Sequence, residues 1–100
     1  MGSDGSSDSF YAARVLTKLG SIISTPLGPD QYRIEVVDCS IVESGDIRPC
    51  YAIAATVELA TVKLLQDIRD LPVGDYVRTV VGDHKFRLVN DMWSDINRVK

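Results

Sequence analysis

Residues 32–42 read Tyr32-Arg-Ile-Glu-Val-Val-Asp-Cys-Ser-Ile-Val42, and this run is the clearest strand pattern in the chain. It is rich in β-branched and aromatic residues, which favour the pleated strand conformation. Ile34 and Val36 fall on one face of such a strand, whereas Val37 and Cys39 fall on the other. Because both faces are apolar in the middle, the run predicts an inner strand with a neighbour on each side.

The next segment, 43–59, allows two interpretations. Glu43-Ser-Gly-Asp46 has the composition of a hairpin loop, and from Tyr51 to Leu59 the apolar residues alternate as in a second strand. The same region also fits a helix, because apolar residues recur at helical spacing and four alanines favour that conformation. The helical stripe would consist of Ile53, Val57, Ala60, Leu64, Ile68 and Leu71. We favour the hairpin, since Gly45 supplies the turn, and expect a helix from about Ala60 to Asp70.

Before this region, apolar residues recur every three or four positions and predict a first helix from Ser9 to about Ser24, capped by Ser7 or Asp8. Two prolines and a glycine in residues 25–30 predict a turn-rich connector after it. Residues 1–8 are mainly glycine, serine and aspartate, which predicts a flexible tail ahead of a single domain over 9–100.

After the second helix, Pro72 and Gly74 predict a stop, and two β-rich runs, 75–81 and 84–89, flank Gly82-Asp83. A two-residue Gly-X loop is a strong hairpin signal. Asn90 or Asp91 then caps a predicted final helix, Met92 to about Val99. The expected fold is α+β, with an antiparallel four-stranded sheet, helices packed on one face, and the element order α-β-β-α-β-β-α.

Composition places the chain among ordinary globular proteins, with 45% apolar and 25% charged residues in 100 positions. The net charge of −3 argues against a general nucleic-acid binder, which normally has a basic face. Without the pattern of a signal peptide or a membrane-length apolar run, we expect a cytoplasmic protein that does not contact a membrane. One histidine and two cysteines at eleven-residue spacing predict neither a metal site nor a cofactor site.

The two cysteines carry an alternative hypothesis. If residues 50–70 were helical, Cys50 would sit at a helix N-terminus, where the partial positive charge lowers a thiol pKa. Val37-Asp-Cys-Ser40 and Pro49-Cys50 partly resemble sulfur-carrier proteins of the TusA type, in which a strand leads to a Cys-Pro pair at a helix start. Here the order is Pro-Cys and the spacing is longer, so membership is not inferred. The resemblance implies at most a sulfur-carrier or redox partner protein using Cys50.

Basic residues on the last predicted hairpin carry a third hypothesis. Lys85 and Arg87 alternate along one strand, and Arg78 can lie across the hairpin from one of them. Such a row of cations can contact anions or nucleic acid, although Phe86 is expected to face the core and leaves the cations without an aromatic platform. His84 follows Asp83 in the predicted turn and is interpreted as an exposed turn residue.

Our leading expectation is a non-enzymatic interaction or assembly module, a homo-oligomer that packs through a sheet face or edge against itself or another protein. No catalytic constellation is recognisable. The apolar faces of the three predicted helices and four predicted strands are a large area for 100 residues to cover, which favours a partner or self-association. Candidate interface aromatics are Tyr51, Tyr76 and Trp93, since aromatic residues dominate binding hot spots.

Overall fold

Helices and strands follow one another in a computed structural model that describes residues 6–79 and 84–96. In this part of the chain there are two helices and six strands. In order they are α1 (Ser6–Leu16), β1 (Ile22–Gly28), β2 (Gln31–Glu43), β3 (Asp46–Ala54), α2 (Val57–Arg69), β4 (Tyr76–Thr79), β5 (Lys85–Val89) and β6 (Met92–Asp95).

The long strand β2 organises one antiparallel sheet. β3 runs along one side of β2 for most of its length. On the other side, β1 pairs with the first half of β2, from Gln31 to Val36, and β4 pairs with the second half, from Cys39 to Val42. β5 and β6 continue the sheet beyond β4. The strands β2 and β3 therefore belong to both ends of the sheet, with β1 beside β2 at one end and β4, β5 and β6 following β2 at the other.

A bulge divides β2 into these two halves. Glu35 pairs with Tyr51 and Ser40 pairs with Pro49, so that residues 36–39 lie opposite Cys50 alone. Asp38, within the bulge, has a φ of 61°, a left-handed conformation that aspartate tolerates better than most residues. The extra residues separate the two halves of β2, so that β1 pairs with β2 before the bulge and β4 pairs with the same side of β2 after it.

Both helices pack against one face of the sheet. Buried side chains from α1, α2, β2, β3 and β4 form a single cluster, in which the strand residues alternate as expected for one sheet face. The members with no exposed surface are Leu16, Val36, Ile41, Cys50, Ala60, Leu64 and Val77. Thr56 caps α2 by accepting a hydrogen bond from the Leu59 N–H at 3.1 Å. The core thus lies between the helices and the sheet.

The α+β class and the antiparallel sheet are confirmed, but the predicted four strands and their order are wrong. The described residues form six strands, and their elements follow the order α-β-β-β-α-β-β-β. The preferred hairpin after β2 is present: Ser44 and Gly45 have φ values of 54° and 88°, the signs that a type I′ turn requires. β4 and β5 also pair as expected, while the predicted Gly82-Asp83 turn lies outside the described residues.

The first error concerns α1, which begins at Ser6 and ends at Leu16, well before the predicted Ser24. Residues 22–28, read partly as helix and partly as connector, form β1 instead. Pro26 is compatible with this strand because β1 lies at the edge of the sheet, where a missing N–H costs no ladder bond. Gly20 permits the entry into β1, since a Cβ there would lie 3.0 Å from the Val37 carbonyl oxygen.

The second error concerns the predicted final helix, Met92 to Val99. Met92–Asp95 forms β6, paired with β5, and residues 97–100 lie outside the described residues. Asn90 and Asp91, read as helix caps, have φ values of 52° and 61° and form a two-residue hairpin turn. Both residue types tolerate the left-handed region that a type I′ turn demands, which is why they serve here as turn residues.

Candidate interaction surface

The face of the sheet turned away from the helices, called here the outer face, carries a mixed set of side chains. The side chains of this face alternate along each strand with core side chains such as those of Ile41, Cys50 and Val77. Its principal members are Arg33, Glu35, Val42, Ile47, Tyr51, Ile53, Tyr76, Arg78, Lys85, Arg87, Val89 and Met92.

Three of the cations lie together on β4 and β5 and form what we call the cation cluster: Arg78, Lys85 and Arg87. Arg78 pairs directly with Lys85 across the two strands, and Arg87 lies two residues further along β5. The Lys85 ammonium lies 5.4 Å from the centre of the Tyr76 ring, within cation–π range. The sequence predicted the row of cations but no aromatic partner, and the structure supplies one in Tyr76.

A second cation–aromatic contact lies on the other half of the outer face. The Arg33 guanidinium carbon lies 4.4 Å from the centre of the Tyr51 ring, and its Nη2 lies 3.1 Å from Glu35 Oε1. Glu35 is the only carboxylate among the described strand residues of the outer face, against four basic side chains, Arg33, Arg78, Lys85 and Arg87. This face is therefore basic, although the chain as a whole carries a net charge of −3.

Exposed aliphatic side chains flank these cations. Met92 is 71% exposed and Val89 is 51% exposed, and the two pair across the β5–β6 hairpin on the outer face. Ile47, at the opposite border of the sheet, is 59% exposed. Arginine, tyrosine and methionine are enriched at protein–protein interfaces, whereas glutamate and aspartate are depleted at their cores. The composition of the outer face follows that pattern.

The free edge of β1 contains a proline turned outward. The Val37 N–H donates to the Ser21 carbonyl over a distance of 2.8 Å. Because backbone groups alternate along a strand, the N–H and C=O groups of the odd-numbered residues of β1 point toward β2. The alternate position, Pro26, therefore faces away from β2 and offers no N–H to an additional strand.

The free edge of β3 has the same feature. In the first half of β2, the backbone N–H and C=O groups of the odd-numbered residues point toward β1. Those of the even-numbered residues therefore point toward β3, where they face the backbone groups of Ala52 and Ala54. Because the backbone groups of β3 alternate in the same way, the backbone nitrogen of Pro49 faces away from β2. A proline at an outward position is a common protection against edge-to-edge pairing. These two edges are thus poor sites for an added strand.

Trp93, predicted as an interface aromatic, lies on the core side of the sheet. Its Nε1 donates to the Val15 carbonyl at 2.8 Å, near the end of α1. The adjoining turn is tied to both helices, because Asp91 accepts two hydrogen bonds of 2.9 Å from Arg69 and one of 2.7 Å from Tyr11. The bonds from Arg69 and then Tyr11 lower the pKa of Asp91 below its ordinary value. Trp93 therefore joins the last hairpin to the helices.

Cys50 lies within β3, and the helix N-terminus on which the thiol hypothesis depends is not at this position. The side chain has no exposed surface. Burial raises the pKa of the Cys50 thiol to about 12, and the nearby Cys39 contributes to the shift. Burial, followed by the charge of Asp38, raises the pKa of Cys39 to about 11. Both thiols are held in the protonated, weakly nucleophilic form.

We expect both cysteines of the native protein to resist alkylation at pH 8, at least about 100-fold relative to a free thiol with a pKa near 8.5. Mass spectrometry of peptides after timed iodoacetamide treatment measures this, with protein in urea as the fully reactive control. The raised folded-state pKa values also mean that these thiols favour folding below about pH 8.5, and that this contribution is lost as the pH rises toward 11–12. Rapid native labelling of Cys50 would revive the thiol hypothesis.

A cavity of about 430 Å³ opens where β1 and β4 separate along β2, at the bulge. His84 reaches it from the start of β5, and its Nδ1 lies 3.2 Å from Asp95 Oδ2. Its lining mixes charged, hydroxyl and apolar groups, among them Lys18, Ser21, Val37, Asp38, Thr79, His84 and Phe86. Sequence reasoning missed this cavity because it depends on the bulge.

Within residues 6–79 and 84–96, no group of three or more His, Cys, Asp or Glu side chains could hold a metal ion. Neither helix in these ranges has the length and apolar character needed to cross a membrane. Comparison with known proteins found no matching family model, no similar curated protein and no similar solved structure. The surface has to be interpreted from its own chemistry.

Proposed function

We propose that the protein is a non-enzymatic interaction and assembly module that binds protein, a further copy of itself included, through the outer face of its sheet. The observation that carries the proposal is the outer face itself, where Tyr51, Tyr76 and four cations lie between exposed aliphatic residues. A cytoplasmic location is part of the proposal, since it would keep both cysteines reduced.

The face is a better association surface than the edges for a physical reason. Pairing along an edge depends on unbroken backbone donors, and Pro26 and Pro49 interrupt the outward donors of β1 and β3. Association through a face depends instead on burying apolar and aromatic area. Exposed Met92, Val89 and Ile47 offer such area, and their removal from water favours binding in proportion to it.

Self-association is tested by sedimentation velocity of the wild-type protein from micromolar to millimolar concentration. We expect the weight-average sedimentation coefficient to rise with concentration, because a surface of this kind supports weak to moderate binding. A single monomeric species over the whole range would contradict self-association and leave only a foreign protein as partner.

Nucleic acid is the second candidate partner, and the grouping of Arg78, Lys85 and Arg87 on one face is the observation that favours it. Oligonucleotide binding would be strongly salt-dependent, because each neutralised phosphate releases counterions. The candidate ranks second because Tyr51 and Tyr76 already have cations over their rings at 4.4 and 5.4 Å, which competes with base stacking.

A further inference from the structure

We infer that Lys85 and Arg87 of the cation cluster, together with Tyr76, bind a carboxylate-rich segment of a partner protein, one that also presents apolar residues to Val89 and Met92. The inference rests on the proposed function of the outer face and names the chemistry of its partner. Three features of this face favour such a partner: the sign of its charge, the extent of that charge, and the apolar side chains beside it.

The sign of the charge is set by Arg78 and Lys85, which face each other directly across β4 and β5. Arg87 adds a third cation on the same face. Guanidinium and ammonium groups form charge-assisted hydrogen bonds with carboxylates.

The extent of the positive charge favours a short acidic segment over a long polyanion. The chain carries 14 acidic residues against 11 basic ones, so the positive outer face belongs to a molecule of opposite net charge. Beyond about 10 Å at ordinary ionic strength such charges are screened, and a short ligand senses mainly the local cations. A long nucleic acid passing over the molecule also meets its acidic surfaces.

The apolar side chains separate protein carboxylates from phosphates. Val89 lies on β5 two residues beyond Arg87, and Met92 lies opposite it on β6; both are more than half exposed. A protein segment can place aliphatic or aromatic side chains on them while its carboxylates reach Lys85 and Arg87. A phosphate backbone offers no comparable apolar contact.

The same charges disfavour a two-fold dimer centred on the cation cluster. A two-fold axis that passes through the cation cluster would bring it against the equivalent cluster of the second copy. Like charges across an interface oppose association. A second copy that binds at the cation cluster has to do so with a different and acidic surface.

The test uses the full chain and fluorescence anisotropy with a labelled peptide of alternating glutamate and leucine. We expect saturable binding that weakens with added salt, and at least about a tenfold loss of affinity in Arg87→Glu, the size expected for a lost charge-assisted contact. Arg14→Glu, on the exposed surface of α1, changes the net charge by the same amount and should retain wild-type affinity. Arg87→Gln, with folding verified by thermal unfolding, separates loss of contact from loss of fold.

Three results would overturn the inference: no binding at millimolar protein, equal affinity of Arg87→Glu and wild type, or tighter binding of a thymidine oligonucleotide than of the peptide. The third result would assign the cluster to nucleic acid. If Arg87→Glu has no effect while a substitution at Met92 disrupts self-association, the acidic partner is wrong but the outer face remains the association surface. If neither substitution changes any binding, the proposed function fails as well.

Discussion

Ile41→Ala is expected to lower the free energy of unfolding by about 2–5 kcal/mol, the usual cost of removing a large aliphatic side chain from a core. Ile41 has no exposed surface and lies in the central strand, with Val77 paired beside it on β4. Truncation leaves a cavity between the sheet and the helices that rigid neighbours cannot close. Since small domains are stable by only about 5–15 kcal/mol, this loss is large.

Urea unfolding followed by circular dichroism measures the effect. Ile41→Val, which removes a single methylene, serves as the matched control and should cost about 0.5–1.5 kcal/mol. A loss below about 1 kcal/mol in Ile41→Ala would mean that the second half of β2 is not packed as described.

Trp93→Ala is expected to be the second most damaging substitution, with a loss of about 3 kcal/mol or more in stability. The indole packs against the core and its N–H donates to the Val15 carbonyl, joining the β5–β6 hairpin to α1. Trp93→Phe retains much of the ring but leaves the carbonyl without this donor, which should cost about 1 kcal/mol.

These variants also separate a structural role for Trp93 from the interface role that the sequence suggested. Thermal unfolding and sedimentation are measured on the same samples, at a temperature where each variant is folded. A structural residue lowers the melting temperature and leaves association of the folded molecules unchanged. Normal stability combined with lost association would return Trp93 to the interface.

The central strand was predictable because its signal is local. The apolar and β-branched residues of β2 and the glycine of the following turn suffice to predict a hairpin. β1 was not predictable by the same reasoning. Leu16, Leu19 and Ile23 continue a helical spacing by coincidence, and Pro26 is a normal strand breaker. Only the position of β1 at the edge of the sheet, a property of the whole fold, makes that proline acceptable.

β6 was missed for a related reason. Asn90 and Asp91 are good helix caps and also good type I′ turn residues, so the residue types alone do not decide between a helix and a hairpin. Pairing with β5 and the Trp93 contact to α1 decide it, and α1 is almost eighty positions away in the sequence.

The candidate surface was partly predictable. The alternation of Lys85 and Arg87 and the hairpin with Arg78 follow from local pattern. The contact of Lys85 with Tyr76 depends on the register between β4 and β5. The two halves of the outer face form one surface only because β4 pairs with β2 after the bulge. These are long-range pairings, for which a single sequence holds no direct signal.

The most direct test of the central claim compares two exposed apolar positions on opposite sides of the molecule. Met92, on the outer face, and Leu59, on α2, are 71% and 49% exposed, so glutamate at either position should leave the fold intact. Sedimentation velocity at matched concentrations is expected to show self-association weakened at least about tenfold by Met92→Glu and unchanged by Leu59→Glu. Loss of association in Leu59→Glu with full association in Met92→Glu would place the interface on the helical side and contradict the account.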